Sequence, residues 1–362
     1  MSLKITIDAT PVLMRSAGVK NYLYYWLTSL RRHAAAGEEI RAFPLLADLG
    51  TLHHDSSDFP LWSTVPRLGA MHAASRLGPA AVAILAGKTD VFHASNQVHC
   101  GPRRARLTAT IHDVTSRLMP EVHARGNIHA DRRFLEQILK RADALIAVSE
   151  NTRQDAIRWL GLPEDRIKTI YSGVPEEYFN AQPVKRRRPY VLYVGTIEPR
   201  KNLAALLDAW ALLKPDLQRE YELVFAGPAA WGERDTFNRI RANATYLGYV
   251  PEKDLPGLTA GGVAFAYPSL YEGFGFPIVQ AMAAGTPVLT SNTSCLPEIA
   301  GEAALLVDPR SPVEIASGLT RLLESESLRA DLSARGRERA SIFCWDRCAE
   351  ESLQFFKTVA GK

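Results

Sequence analysis

The chain has 362 residues, of which 46% are hydrophobic and 23% are charged, and its formal net charge is +4 at pH 7. This length and composition are typical of a globular protein with about two domains, and the small positive charge does not by itself favour nucleic-acid binding. No run of about 18 apolar residues occurs, so no membrane-spanning helix is expected. The first residues lead into a strand pattern without a signal peptide, and the four cysteines lack zinc-site spacing, which predicts a cytoplasmic protein with reduced thiols.

The first half of the chain alternates short apolar runs with amphipathic segments, an order that predicts a doubly wound parallel sheet. The apolar runs that we interpret as buried strands are LKITIDA, TDVFHAS, LTATIHDVTS and ADALIAVS. The loop from Arg15 to Asn21 follows the first of them and precedes an amphipathic helix, an arrangement that can place a phosphate or a sugar at a helix N-terminus. No G-x-G-x-x-G sequence occurs there, so the fingerprint of a nicotinamide dinucleotide site is absent.

A histidine and an aspartate, His112 and Asp113, follow the third of these strands. The carboxyl ends of parallel strands border the ligand crevice of an open α/β sheet. His112 could therefore hydrogen-bond a sugar hydroxyl or a phosphate, with Asp113 orienting its ring. The alternative is a loop histidine beside a capping aspartate. His53 and His54, in the irregular stretch from about residue 50 to 80, are interpreted as exposed loop residues because no further metal ligands accompany them.

A polar, basic stretch from Ala181 to Pro189 is the predicted linker between the two domains. It is followed by the strand YVLYVGT, a loop that contains Arg200 and Lys201, and an apolar helix. Two cations at the start of a helix can neutralise a diphosphate and stabilise it as a leaving group. The alternative is a solvated basic turn.

The stretch from Tyr267 to Thr290 combines a buried strand, a loop with two glycines and an apolar helix that begins at Pro277. Proline is favoured at the first helical position, and glycines let a loop backbone approach a ligand closely. The free N–H groups at the helix start can bind an anion, and Glu272 in the loop can accept hydrogen bonds from hydroxyl groups. Together these features indicate a sugar phosphate site. The alternative is a tight strand-to-helix turn with an exposed glutamate.

Several motifs, in this order, resemble those of the retaining glycosyltransferases of family four: SAGVKNY, TIHD, IAVSENT, YSGV, VGTIEPRKN, YPSLYEGFGFPIVQAMAAGTPV and LPEIAGEAALLVDP. The resemblance covers essentially the whole chain. It implies the α/β architecture called GT-B, in which two Rossmann-like doubly wound domains face a cleft. The implied domains are residues 1–180, joined by a C-terminal helix at about 345–362, and residues 181–344. The first would bind the acceptor and the second a nucleotide diphosphate sugar.

The resemblance also implies roles for individual residues. Lys201, with Arg200 beside it, would hold the diphosphate of the donor. Glu272 would contact hexose hydroxyls, and His112 would lie near the transferred sugar. The other residues that the resemblance places around the donor are Gly18, Thr196, Gly273, Phe274, Gly275, Phe276 and Gln280.

Three positions depart from the family pattern. The second glutamate of the E-x7-E motif is Gln280, which keeps an acceptor for ribose hydroxyls and adds a donor. The arginine often found before the lysine is Thr196, so Arg200 would supply the missing charge. Ala17 replaces the first of two glycines in the N-terminal loop.

The implied reaction moves a hexose from a UDP- or GDP-sugar to a saccharide or lipid-linked acceptor, as in the synthesis of cell-surface polysaccharides. The family is often described by front-side attack, in which the leaving diphosphate takes the acceptor proton and the protein positions the reactants and stabilises charge. No metal and no other cofactor is expected, because cations and helix dipoles can neutralise the diphosphate and no Asp-x-Asp sequence occurs.

Two other functions stay open from the residues alone. Gln280 and Thr196 suggest a sugar-nucleotide-binding protein without transfer activity, and a nucleotide-sugar epimerase would share the two-domain architecture. Peripheral contact with the inner face of a membrane could use Arg31, Arg32 and the basic run from Arg103 to Arg106.

Overall fold

The computed structural model describes residues 3–14, 18–44, 46, 49–50, 52, 59–95, 97–123, 125–229 and 234–361, with the side chain of Arg125 excepted. The chain divides into two compact units. The first comprises Met1–Gly173 together with Cys344–Lys362, and the second comprises Val174–Phe343.

The first unit, in its described residues, is built on a six-stranded sheet with the strand order β2-β1-β3-β4-β5-β6, all parallel. The strands are β1 (Leu3–Asp8), β2 (Glu38–Phe43), β3 (Val91–Ala94), β4 (Arg106–Ile111), β5 (Ala144–Ala147) and β6 (Ile167–Thr169). The helices before residue 174 are α1 (Gly18–His33), α2 (Leu61–Leu77), α3 (Pro79–Ala86), α4 (Thr115–Leu118), α5 (Arg125–Gln137) and α6 (Glu150–Leu160). β2 lies on one side of β1 and the later strands lie on the other, so the strand order reverses between β1 and β3.

The strands β1, β3 and β5 of this unit are mostly buried, as expected where helices cover both faces of a parallel sheet. Ile5 and Ile7, on the same side of β1, have no exposed surface. Local sequence signals define the helix ends. Ser149, the predicted N-cap of α6, accepts a hydrogen bond from the backbone N–H of Thr152 (3.1 Å), and Gly161 ends the helix in the left-handed conformation, with φ of 65°.

The second unit has, within its described residues, another six-stranded parallel sheet, with the order β12-β11-β10-β7-β8-β9. Its strands are β7 (Tyr190–Val194), β8 (Glu222–Ala226), β9 (Thr245–Gly248), β10 (Ala264–Tyr267), β11 (Val288–Ser291) and β12 (Ala304–Val307). Its helices are α7 (Glu176–Phe179), α8 (Leu203–Ala211), α9 (Pro215–Glu220), α10 (Arg234–Asn243), α11 (Leu255–Ala260), α12 (Phe276–Ala283), α13 (Leu296–Ala300), α14 (Pro312–Glu324) and α15 (Glu326–Ser341). The strand order reverses between β7 and β10. Both units therefore confirm the predicted doubly wound parallel sheets.

The last helix, α16 (Trp345–Ala360), belongs to the first unit and packs against α1. The indole N–H of Trp26 donates to the Ser352 hydroxyl (2.9 Å), and the Ser29 hydroxyl donates to Asp346 (2.7 Å). Trp26 and Ser352 are both fully buried, so this hydrogen bond satisfies polar atoms in the interface between the two helices.

The boundary between the units lies between Gly173 and Val174, whereas the boundary predicted from the sequence follows residue 180. The predicted linker, Ala181 to Pro189, is part of the second unit. The backbone N–H of Val184 donates to the Gly257 carbonyl (2.9 Å), and the Arg186 guanidinium donates to Glu222 (2.9 Å). Polar composition alone does not reveal these hydrogen bonds to distant residues.

We expect the substitution Gly173→Ala to destabilise the first unit. A Cβ atom at this position would lie 2.2 Å from the backbone nitrogen and 2.6 Å from the Cα of Trp345. Backbone atoms cannot rotate away, so the expected loss is about 1–3 kcal/mol in the free energy of unfolding, measured by denaturant titration. Gly69→Ala is the control, because a Cβ there would meet no described atom within 4 Å. Equal stability of the two variants would contradict the prediction.

Candidate functional site

The residues predicted to bind a diphosphate lie at the carboxyl edge of the second sheet, where β7 and β10 are neighbours. The loop after β7 contains a 3-10 turn, Pro199–Lys201, and the loop after β10 contains Glu272. The Lys201 ammonium lies 2.6 Å from Glu272 Oε1, and Arg200 Nη1 lies 2.8 Å from Glu272 Oε2. The strand order reverses between these two strands, which is the position where open α/β sheets bind ligands.

The Glu272 carboxylate is the centre of a buried hydrogen-bond network. Its Oε1 atom also accepts from the hydroxyls of Ser269 (2.6 Å) and Tyr267 (3.0 Å). The Tyr267 hydroxyl in turn accepts from Lys201 Nζ (2.7 Å). Glu272 is 7% exposed and Lys201 is 8% exposed. At such low exposure to water, a charged side chain destabilises the fold unless an opposite charge and hydrogen bonds balance it.

The charges of this network shift one another's proton affinities. Burial acts to raise the pKa of Glu272, but Arg200, then Lys201, and the hydrogen bonds from Lys201 and Ser269 hold the pKa at about 2. Burial and the neighbouring Arg200 lower the pKa of Lys201, while Glu272 and Glu198 oppose that shift. Glu272 is therefore an anion at neutral pH whose charge is held by two protein cations.

The alternative of an exposed glutamate in a plain turn is wrong for Glu272, because both carboxylate oxygens accept hydrogen bonds from the protein. Its observed contacts make it the counter-ion of Lys201 and Arg200. Contact with hexose hydroxyls stays a prediction. Oε2 accepts from Arg200, and a carboxylate oxygen has capacity for a second donor.

Glu198 is a further residue of this site, which the sequence motifs did not indicate. Its Oε1 atom accepts from Arg200 Nη2 (2.7 Å), and Arg200 Nη1 also donates to the Tyr271 carbonyl (2.7 Å). Arg200 is therefore held between Glu198 and Glu272. An acidic residue two positions before the arginine, in IEPRKN, was the available signal.

The glycine-rich loop leads directly into α12. Gly275 has φ of +88° and is the N-cap, a conformation that favours glycine. The helix begins at Phe276, so Pro277 is its second residue and not the first, which costs no hydrogen bond because the first-turn N–H groups have no partner within the helix. Phe274 is buried, with its ring edge-on to that of Phe276 (centroids 5.0 Å apart). Gln280 lies buried on α12.

Two other predicted donor contacts lie in loops near this edge. Gly273 is buried beside Glu272, and Thr196 is half-buried after β7, with its carbonyl accepting from the Tyr193 hydroxyl (3.1 Å).

Next to Thr196, the backbones of the loops after β7 and β8 are in close contact. A Cβ on Gly227 would lie 2.1 Å from the carbonyl oxygen of Gly195. Glycine at position 227 is thus required by close packing within the protein.

The predicted histidine, His112, belongs to the first unit, where it follows β4. It is half-buried, with its ring edge-on to Tyr22 (centroids 4.9 Å apart). Burial lowers the pKa of His112 to about 4, although Asp113 opposes the shift, so the ring is neutral at pH 7 and can accept as well as donate. Asp113 accepts from the backbone N–H of Thr115 (2.9 Å), the first residue of α4, so its side chain makes a local hydrogen bond at the start of that helix.

Gly18 is the exposed first residue of α1. Ala17 and the paired histidines, His53 and His54, lie outside the described residues. Across the described residues, no group of three or more His, Cys, Asp or Glu side chains could hold a metal ion. None of the helices in that part of the chain is both long and apolar enough to cross a membrane.

Known protein families match both units. A family model described as Glycosyltransferase Family 4 matches residues 18–178, and one described as Glycosyl transferases group 1 matches residues 174–339. The O-antigen chain mannosyltransferase B of Escherichia coli is 34% identical over 288 residues, which is 75% of this chain and 75% of that protein. The chain belongs to glycosyltransferase family 4. It is an enzyme that transfers sugars, and not the binding protein or the epimerase considered as alternatives.

Solved structures confirm the GT-B fold predicted from the motifs. Sucrose-phosphate synthase from Thermosynechococcus elongatus superposes with a TM-score of 0.74 at 20% identity, over 99% of each chain. HepE from Anabaena, solved with UDP and glucose, superposes with a TM-score of 0.71 at 18% identity, over 99% of this chain and 100% of that one.

Proposed function

We propose that this glycosyltransferase moves a hexose, in the first instance mannose, from a nucleoside diphosphate sugar to a saccharide or lipid-linked acceptor, with retention of configuration. The observation that carries the proposal is the buried pairing of Lys201 and Arg200 with Glu272 where the second sheet reverses its strand order. Mannose is chosen because the Escherichia coli relative is a mannosyltransferase by name.

The cations suit the departure of a diphosphate. The Lys201 ammonium has three N–H bonds, and among the described residues its hydrogen bonds go to Glu272 and Tyr267, with Glu198 farther away at 4.0 Å. One N–H bond is therefore left for a phosphate oxygen. Glu272 and Tyr267 fix the direction of the ammonium, so it needs no reorganisation when charge develops on the leaving group.

In the proposed front-side reaction, the bond from the anomeric carbon to the diphosphate oxygen breaks. A bond from the same face forms to the acceptor oxygen, and the acceptor's hydroxyl proton passes to the diphosphate. The protein contributes position and charge stabilisation. Lys201 and Arg200, oriented by Glu272 and Glu198, and the N–H groups at the start of α12 would donate hydrogen bonds to the diphosphate oxygens that a metal ion binds in other transferases. We therefore propose that transfer needs no metal.

A panel of nucleotide sugars tests the proposal directly. Thermal unfolding is measured with UDP-, GDP-, ADP- and TDP-linked sugars, including a mannosyl donor. A donor present at about 100 times its dissociation constant stabilises the fold by about 2.7 kcal/mol, so the true donor raises Tm and the others do not. NMR of the anomeric proton in the transfer product then tests retention. An absence of stabilisation by every donor, or an inverted product, would contradict the proposal.

Gln280 provides a separate test of where the donor ribose lies. If its amide contacts ribose hydroxyls, Gln280→Ala weakens donor binding about tenfold. A tenfold change in affinity is about 1.4 kcal/mol, which is close to the net contribution of one hydrogen bond. Gln280→Glu keeps the acceptor atom and binds the donor as well as the wild type or better. Titration calorimetry with the donor found above measures both, and Gln354→Ala, exposed on α16, is the control. A weaker donor affinity in the glutamate variant than in the alanine variant would place ribose elsewhere.

A further inference from the structure

The described residues include only two positions other than glycine with a left-handed backbone, Asn202 (φ of 60°) and Ser294 (φ of 53°). L-residues adopt this conformation at a cost in free energy, which is smaller for asparagine than for serine. Such positions persist where surrounding contacts hold them, and they occur mainly at functional sites. Both side chains form hydrogen bonds to one segment of the candidate site, residues 268–272, which connects β10 with the Glu272 carboxylate.

The loop after β7 holds this segment from one side. The Asn202 side-chain amide donates to the Pro268 carbonyl (3.0 Å), and the backbone N–H of Leu270 donates to the Arg200 carbonyl (2.9 Å). Because Asn202 directly follows Lys201, these hydrogen bonds fix the segment before Glu272 to the loop that carries the two cations.

Three side-chain hydroxyls hold the segment from the other side, where β11 is the neighbour of β10. Ser291, at the end of β11, and Thr293, in the loop after it, donate to backbone carbonyls of the segment (2.6 and 3.1 Å). The Ser294 hydroxyl accepts from the backbone N–H of Glu272 (3.1 Å). The loop after β11 is therefore a third part of the site, in addition to the loops after β7 and β10.

Of these three hydroxyls, that of Ser294 contacts the residue whose carboxylate pairs with Lys201 and Arg200. Its hydrogen bond fixes the main chain of Glu272, while the two cations hold the carboxylate at the far end of the side chain. Glu272 is thus held at both ends. A charged group that is fixed in this way is preorganised for its task.

The backbone strain at Ser294 and its hydroxyl belong together. Glycine would adopt the same backbone without strain, because positive φ is readily accessible to it, but glycine has no hydroxyl. In the strained conformation the Ser294 hydroxyl reaches the N–H of Glu272, which lies 22 positions earlier in the chain. The hydrogen bond to Glu272 is therefore the feature that a strained serine provides and an unstrained glycine would not.

We propose that Ser294 is a positioning residue for sugar transfer. Its hydroxyl fixes the main chain of Glu272, and Glu272 in turn fixes the direction in which the Lys201 ammonium meets the diphosphate. The inference rests on the proposed diphosphate role of Lys201, and it assigns Ser294 no contact with the donor. The direction of the ammonium matters most when charge develops on the leaving diphosphate, so Ser294 acts on the rate of transfer more than on donor binding.

Two substitutions separate positioning from stability. Ser294→Ala removes the hydroxyl and keeps a side chain at positive φ, whereas Ser294→Gly removes both the hydroxyl and the strain. The glycine variant is therefore expected to have the higher Tm of the two. Both variants are expected to lower kcat about tenfold and to leave the KM for the donor within about twofold of the wild-type value.

The rate is measured as release of the nucleoside diphosphate from GDP-linked mannose, or from the donor that the thermal unfolding panel selects, well below the Tm of each variant. The matched control is Ser325→Ala. The half-buried Ser325 hydroxyl accepts from the backbone N–H of Leu328 (3.2 Å) at the start of α15, so this variant loses a similar hydrogen bond and should keep the wild-type kcat. Wild-type kcat in both Ser294 variants would overturn the proposal, and so would a kcat that follows Tm, with the glycine variant near the wild type.

A double-mutant cycle tests whether Ser294 acts through Lys201. If it does, Ser294→Ala lowers the rate about tenfold in the wild type but less than about twofold when Lys201→Ala is already present. An equal loss in both cases would show that Ser294 acts independently of Lys201, contrary to the inference. Lys201→Ala alone separates this inference from the proposed function. A wild-type rate in that variant contradicts the diphosphate site itself, whereas a low rate beside fully active Ser294 variants contradicts only the role of Ser294.

Discussion

Lys201→Ala is expected to lower the rate of sugar transfer by about 10²- to 10³-fold or more, since one preorganised donor to a developing negative charge contributes that much in other enzymes. The fold should persist. Removing Lys201 leaves Glu272 paired with Arg200 (2.8 Å) and hydrogen-bonded to Ser269 and Tyr267, so no buried carboxylate is left without a cation. Initial rates with the donor, together with circular dichroism, measure both effects.

The chain contains a matched control for this experiment. Lys214 pairs with Glu324 at 2.7 Å, nearly the same distance as the pair of Lys201 with Glu272, but its side chain is 69% exposed. A solvent-exposed pair contributes about 0–1 kcal/mol, so Lys214→Ala should keep wild-type activity and almost all of the stability. Transfer by Lys201→Ala at the wild-type rate would remove the assignment of the diphosphate site.

The sequence predicted the parts of this site but not their contact. Apolar runs located β7 and β10, and the residues after each run were identified as Arg200, Lys201 and Glu272. These residues are about 70 positions apart, however, and they meet only because β7 and β10 are neighbours in the sheet. Chain order does not determine strand order, so Glu272 was interpreted as a carboxylate open to hydroxyl groups.

Two further cases have the same kind of cause. The stretch from Ala181 to Pro189 has the composition of a linker, but a hydrogen bond to Gly257 and an ion pair with Glu222 hold it in the second unit. For Asp113 the sequence left open a partner for His112 or a local cap, and its side chain accepts from the backbone N–H of Thr115 two residues later. Composition and adjacency do not show whether a polar side chain is used by a local cap or by a remote partner.

Glu272→Gln is expected to be the most destabilising polar substitution in the site, by about 3–5 kcal/mol at pH 7. Glutamine preserves the volume but not the charge. Lys201, 8% exposed, would lose its buried counter-ion, and Glu198 cannot replace it because it lies 4.0 Å away and already binds Arg200. Scanning calorimetry measures the loss. The control is Glu272→Asp, which keeps the charge on a shorter side chain and should retain more stability than the glutamine variant.

Acidification separates this electrostatic cause from a packing effect. The pKa of Glu272 is about 2 in the folded chain against an ordinary value of 4.5. A depressed pKa gives stability that is fully present above about pH 4.5 and is lost as the pH falls toward 2, because the unfolded chain then binds the proton more readily. At about 1.4 kcal/mol per pKa unit, the wild type should lose about 3 kcal/mol over this window through Glu272.

The substitution Glu272→Gln removes the titrating group, so the variant cannot lose stability through this position as the pH falls. The difference in the free energy of unfolding between wild type and variant should therefore shrink between about pH 4.5 and pH 2. Denaturant titrations at a series of pH values measure that difference, and the other carboxyl groups cancel because both proteins contain them. A difference that stays constant from pH 7 to the acid limit of folding would show that the substitution destabilises the site through geometry, and that the carboxylate does not balance the two cations.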